Sequence, residues 1–163
     1  VYYSVHPPSD YILQHQARLL PTWSQSIASV LVMLQPSQVA LPERTLDSEP
    51  EKEKLRSHFL ELGWAIALKL QQQGYLADLF DPRTGWPILS RRGTLPLDDV
   101  AVARAALGYS TDRCGNCRVI LHPSLGTAVY PSTLVSSAPV AVLRAIAQQV
   151  LGVAAPQPSH KGD

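Results

Sequence analysis

The sequence predicts an α+β domain, with helices laid over a mostly antiparallel sheet. Three observations carry that expectation. One long segment, Glu51 to Gln73, repeats its apolar residues at helical spacing. Short apolar runs elsewhere are bounded by Pro, Gly and Ser, as strands are. Turn chemistry at 81–85 and 122–126 joins neighbouring runs directly, which makes them antiparallel.

Along the chain, Ser9 can cap a helix through Leu20, and Pro21 stops it. Ala28 to Leu34 reads as a buried strand, and 36–50 as a loop rich in Pro, Ser and acid. Asp47 or Ser48 opens the long helix. Its stripe is Leu55, Phe59, Leu62, Ile66 and Leu70, and Gly74 stands at its C′ position. Tyr75 to Phe80 reads as a strand, Asp81-Pro82-Arg83-Thr84-Gly85 as a turn, and Trp86 to Ser90 as the returning strand. Asp98 or Asp99 caps a helix that runs through Leu107 to Gly108. Cys117–Leu121 and Thr127–Val135 are strands, and Ala138 to Leu151 is a final helix ended by Gly152. Residues 1–152 read as one domain and 153–163 as a flexible tail.

Composition narrows the classes. In 163 residues, 14 Lys and Arg stand against 13 Asp and Glu, a net charge of +1. No basic patch answers a row of phosphates, so nucleic-acid binding is not expected. No apolar run reaches the ~18 residues of a membrane span. Two cysteines make no disulfide framework. Residues 1–17 lack Lys and Arg, unlike a mitochondrial presequence. The expectation is a soluble, cytoplasmic domain.

Cys114-Gly115-Asn116-Cys117 is the first site candidate. Two thiols at this spacing can close a disulfide, clamp a metal or leave one thiolate poised, or serve only as small hydrophobes. Gly115 and Asn116 tolerate a tight turn, and Arg113 and Arg118 flank the pair. A zinc count finds Cys114, Cys117 and His122, with His58 or His6 as a fourth, but no second ligand pair. The pair precedes a strand rather than starting a helix, which is the wrong context for a thioredoxin-type site. Asp78 and Asp81 are three apart and point to opposite faces of a strand, so they read as structural. His122 is five residues from Cys117, again on the opposite face, and reads as a turn or rim residue. No glycine-rich phosphate loop is present.

Taken together, these residues resemble the C-terminal domain of the methylmalonic aciduria and homocystinuria type D (cblD) family. The resemblance rests on Gly74, Tyr75, Ala77, Asp78, Asp81, Pro82 and Gly85. It continues through Leu107, Gly108, Tyr109, Ser110, Asp112, Gly115, Cys117, Val119, Ile120, His122, Gly126 and Thr127 in one ungapped register. Residues 1–50 match less closely.

The resemblance implies a nitroreductase-like sandwich without flavin and without catalytic turnover. It implies transient handling of cobalamin (vitamin B12) together with a cblC-type processing partner, and a cysteine thiolate on cobalt. Cobalt in a corrin favours such a soft ligand. The family carries adjacent cysteines, the first being the ligand. Here that first position is Asn116, the second is Cys117, and Cys114 is additional. The implied cobalamin-site residues are thus Cys117, Cys114, Asn116, Gly115 and His122, with either thiol as the metal ligand. The alternative is a thiol- or flavin-dependent oxidoreductase that uses Cys114 and Cys117.

Overall fold

The apolar run at 30–34 becomes the inner strand of a sheet covered on both faces. The computed structural model describes residues 1–41, 46–156 and 158. Along the chain come β1 (Tyr2–His6), α1 (Asp10–Leu19), β2 (Ser29–Pro36), α2 (Ser48–Gln72) and β3 (Ala77–Leu79). After these lie α3 (Asp99–Leu107), β4 (Ser110–Cys114), β5 (Cys117–Leu121), β6 (Val129–Ser136) and α4 (Val140–Leu151). One sheet has the order β1-β2-β6-β3, antiparallel throughout, and β4-β5 form a separate hairpin. The α+β expectation holds.

Strand alternation divides the core into two layers. Tyr3, Val5, Leu31, Met33, Leu79 and Leu134 face α2 and α4, meeting Phe59, Ile66, Leu70, Leu143 and Ile146. Val30, Val32, Leu34 and Val135 face the other way, toward Ile12 and Leu19 of α1, Val102 of α3 and Ile120 of β5. This is why β2 carries no polar alternation: every residue from Ser29 to Gln35 is buried.

Two of the expected N-caps are made by side chains. Ser9 accepts from the Ile12 N–H and Asp98 from the Ala101 N–H. Asp47 stands at the N-cap of α2, and its side chain makes no capping hydrogen bond. At the other end Gly74 takes φ +87°, with Gly74 N donating to Gln71 O and Tyr75 N to Leu70 O. That pair of bonds is a Schellman closure.

Two strands lie where no element was expected. β1 shows a buried-inward alternation of Tyr3 and Val5, and β4 is the polar run Ser-Thr-Asp-Arg-Cys. Of the expected loop at 36–50, Pro36 instead ends β2, residues 37–41 hold, and α2 begins earlier, at Ser48. Residues 42–45 of that loop lie outside the described residues, as do 157 and 159–163 of the expected tail. Within the rest of the tail, the Tyr109 hydroxyl donates to Pro158 O at 2.9 Å.

The expected strand at Trp86–Ser90 is absent; only an isolated bridge joins Phe80 to Pro87. That bridge is flanked by Asp81 N–H to Trp86 O at 2.9 Å and Ile88 N–H to Leu79 O at 3.0 Å, and the pairing goes no further. Of the next three N–H groups, that of Ile88 is shared between Leu79 O and Asp78, and those of Leu89 and Ser90 go to Asp78, which is fully buried. Its Oδ1 accepts from Leu79, Ile88 and Leu89 N at 2.8, 3.1 and 2.8 Å, and its Oδ2 from Ser90 N at 2.8 Å. Burial pushes this carboxyl above its ordinary pKa, and the N–H donors pull it back. Asp78 is therefore a clamp for the strap 86–98, as its structural reading anticipates.

Asp78→Asn keeps the shape but turns an amide donor toward a backbone donor. It should cost about 2 kcal/mol of stability, the scale of a buried unsatisfied polar group. Urea unfolding against wild type checks this.

Candidate functional site

The thiol pair is built by the β4-β5 hairpin. Cys114 and Cys117 are register partners, and Gly115-Asn116 is the two-residue loop between them. Gly115 takes φ +63° and Asn116 does not take a positive φ, the pattern of a type II′ hairpin turn. Cross-strand partners point to the same face, so both sulfurs lie on one side of the ribbon. The same alternation turns Arg113 and Arg118, also register partners, to the other side. Cys117 is exposed, Cys114 is half-buried, and no disulfide joins them. The pair lies between strands and starts no helix.

Cys117 forms part of the shared wall of two adjoining hollows, of about 660 and 640 Å³. The first lies against α2, with Lys52, Glu53 and Arg56 on its side. The second lies against the strap and the start of α3, with Leu97, Asp98 and Asp99. Pro82, Arg83, Cys117 and Tyr130 belong to both. Asn116 and Arg118 also line the second hollow.

Two features fix the walls. Asp81 is nearly buried and forms a bidentate pair with Arg56, both N···O distances being 2.7 Å. Arg56 lowers the pKa of Asp81, so Asp81 is a held anion and not an acid poised beside Asp78. The second feature is Gly85. Its φ is +76°, and a Cβ there would stand 2.5 Å from Leu97 O. Only glycine lets the strap pass that close. The Gly85 carbonyl in turn accepts from Leu97 N at 2.9 Å, bringing Asp98 and Asp99 to the rim.

His122 is not brought to the hollows. It is 2% exposed, at the far end of β5. Its Nδ1 accepts from Ser124 and Leu125 N at 3.1 and 3.2 Å, which places the proton of the neutral ring on Nε2. Burial lowers its pKa, and Tyr2 and Tyr109 pack on the ring at 5.4 and 5.3 Å. His58 is engaged elsewhere, its Nδ1 2.7 Å from Gln35 Oε1. Among the described residues no group of three or more His, Cys, Asp or Glu is placed to hold a metal ion. No helix among them is long and apolar enough to cross a membrane.

Sequence reasoning missed Arg56, Tyr130 and the inward role of Asp99. Of the adjacent pair Asp98-Asp99, the first caps α3 and the second turns its carboxyl inward. Asp99 Oδ1 is shut off from solvent, although the residue as a whole is half-buried. Burial pushes its pKa up to about 7, the Thr133 hydroxyl pulls it back in part, and Asp98 and Asp81 add to the rise. Tyr130 is likewise pushed up, by burial and then by Asp99.

The model of the methylmalonic aciduria and homocystinuria type D protein family matches residues 8–148. The chain belongs to that family. It is similar to the cobalamin trafficking protein CblD of Rattus norvegicus, at 28% identity over 120 residues. The corresponding proteins of Homo sapiens and Gallus gallus are 27% and 25% identical over the same length. Each match covers 74% of this chain and 40% of the relative, so the chain spans about two fifths of those proteins.

Two outcomes test the electrostatics of this type D family site. Arg56→Met strands the Asp81 carboxylate and should cost about 2 kcal/mol at pH 7, below the figure for a fully buried pair because Arg56 is partly exposed. Asp81 has a depressed pKa, so its contribution is present above the ordinary carboxylate value of 3.8 and is lost as pH falls through its folded value. The gap between wild type and variant should close in acid. Asp99 has the opposite sign. The folded state holds its proton longer, so its contribution falls as pH rises from 3.8 to about 7. Asp99→Asn should flatten that fall, read from urea midpoints across the range.

Proposed function

We propose that this chain is a cobalamin-trafficking adaptor, without turnover of its own, that presents a thiolate to the cobalt of its cargo. The observation that carries this reading is Cys117: an exposed thiol at a hairpin tip, on the wall shared by two hollows. The curated relatives bear the name cobalamin trafficking protein, which supplies the cargo. Cobalt in a corrin is large and polarisable, and among side chains a thiolate suits it best.

On this reading Asn116, at the position of the family's usual ligand, lies in the turn beside Cys117, and Gly115 supplies the tight bend. Cys117 is the primary ligand and Cys114 the reserve, because Cys117 is the more exposed of the two. A cblC-type processing protein delivers or receives the cargo, and the hollows are the surface it meets. His122 belongs to the site only by holding the 122–126 turn in place. The sandwich is of the nitroreductase kind but used without flavin, and the protein works in the cytoplasm.

One observation favours a second reading. Cys114 and Cys117 are directly opposed across an antiparallel pair, where Cα atoms stand ~4.5–5.5 Å apart, within disulfide range. A thiol oxidoreductase would use that arrangement.

A titration with cob(II)alamin, followed by absorbance and electron paramagnetic resonance with and without a cblC-type partner, separates the two. The adaptor reading expects a sulfur-ligated signal that Cys117→Ser abolishes and Cys114→Ser leaves largely intact. No sulfur signal in wild type under either condition, with turnover of a disulfide substrate, would favour the oxidoreductase.

A further inference from the structure

A third hollow, of about 510 Å³, lies between α3 and the β4-β5 hairpin. One wall is a face of α3 that carries Ala101, Arg104 and Ala105. The other is the hairpin, with Thr111 and Arg118. Asp98 and Arg118 also line the hollow against the strap, so the two spaces adjoin at these residues.

The positive charge here is unanswered. Arg104 and Arg118 are exposed, and among the described residues neither forms an ion pair. The four ion pairs among those residues all use α2 instead. Asp98 is the acid in the lining, and its carboxylate already accepts from Ala101 N at 3.1 Å. Arg113 is the register partner of Arg118, and alternation sets both on the ribbon face of Thr111. Like charges directly opposite on a ladder repel. Asp112, between Thr111 and Arg113, belongs to the other face and accepts from Arg113 N at 2.8 Å. Cations gathered in this way cost energy until an anion sits among them.

The donors select the kind of anion. A guanidinium is a planar fork that matches two oxygens of a phosphate. Two forks from different elements, with the Thr111 hydroxyl, suit a tetrahedral group better than a flat carboxylate, which one fork satisfies. Ala101 and Ala105 leave room beside them for the organic part of an ester.

We propose that Arg104, Arg118 and Thr111 form a phosphate-ester site, and that its ligand is the phosphodiester in the nucleotide arm of the cargo. This rests on the cobalamin reading above and deepens it. Cys117 holds the metal, and the arm passes Arg118, which lines both spaces, to reach Arg104. Both arginines are positioning residues and take no part in bonding to cobalt.

The test has two arms, with unfolding midpoints to verify the fold of each variant. In the first, inorganic phosphate is titrated into the cobalamin-free protein at constant ionic strength and followed by phosphorus NMR. Arg104→Gln and Arg118→Gln should each weaken binding about tenfold, the scale of one charge-assisted hydrogen bond. Arg144→Gln removes an exposed cation of α4, on the opposite face of the sheet, and should stay within about twofold. In the second arm, cob(II)alamin is compared with cob(II)inamide, which lacks the nucleotide arm. Wild type should prefer cobalamin by about tenfold, and Arg104→Gln should lose that preference.

No saturable phosphate binding by wild type, or equal binding by wild type and Arg104→Gln, would overturn the site. A Cys117 sulfur signal in the same protein would leave the adaptor reading standing. Phosphate binding lost in Arg104→Gln, with equal affinity for the two corrinoids, would overturn the arm as ligand and assign a free phosphate ester in its place. Phosphate binding by a wild type that takes neither corrinoid would overturn the adaptor reading, and the arm with it, while the phosphate site stood.

Discussion

Asp78 has no exposed surface, and four backbone N–H groups converge on its carboxylate. The rest of the site depends on that convergence. β3 is only three residues long and sits at an edge of the sheet, so it has little ladder of its own to hold the next segment of chain. The carboxylate replaces the missing ladder. It gathers the N–H groups of residues 88–90, that of Ile88 being shared with Leu79 O. The strap that results then runs back past Gly85 to α3. Further along, Thr94 and Leu95 N donate to Arg18 O and Leu97 N to Gly85 O, which carries the strap on to the first turn of α3.

The two hollows meet where three independent pieces of chain converge. The 81–85 turn is held to α2 by the Arg56–Asp81 pair, and Asp81 also accepts from Arg83 N at 3.0 Å within the turn. The hairpin tip presents Cys117 because a two-residue loop fixes its register. β6 contributes Tyr130 between them. Rigid parts thus surround a thiol that is itself exposed, an arrangement suited to accepting a large cargo without refolding around it. It also explains how one site can hold opposite charge chemistries. Asp81 is a held anion because a guanidinium grips it, whereas burial pushes the Asp99 carboxyl up.

Much of the fold was legible because local chemistry and global position agree. Ser9, Asp98 and Gly74 cap where their side chains or missing Cβ require it. The α2 stripe of Phe59, Ile66 and Leu70 points into the core that its period implies. Other features were not legible, for identifiable reasons. β4 is polar and half exposed, so it has no apolar alternation to read, and it is a strand because β5 pairs with it. Trp86 to Ser90 has strand-like composition, but beyond the two backbone bonds that flank Pro87, the N–H groups of Leu89 and Ser90 go to a side chain.

The sequence by itself determined the class of the fold, most of its helix ends, the family resemblance and the thiol pair, since all of these are written in residues close together along the chain. Only the tertiary structure decided which groups share a site. Arg56 and Asp81 are 25 positions apart, and nothing local to either names the other. Nothing local distinguishes Asp98 from Asp99 either. The first spends its carboxylate on a helix N-terminus, and the second is turned inward to Thr133 by the packing of α3 on β6. His122 lies only five residues beyond Cys117, yet strand geometry carries it out of reach, to pack against Tyr2 and Tyr109. Neighbourhood in sequence sets chemistry at turns and caps, whereas a binding site is set by which faces the core brings together.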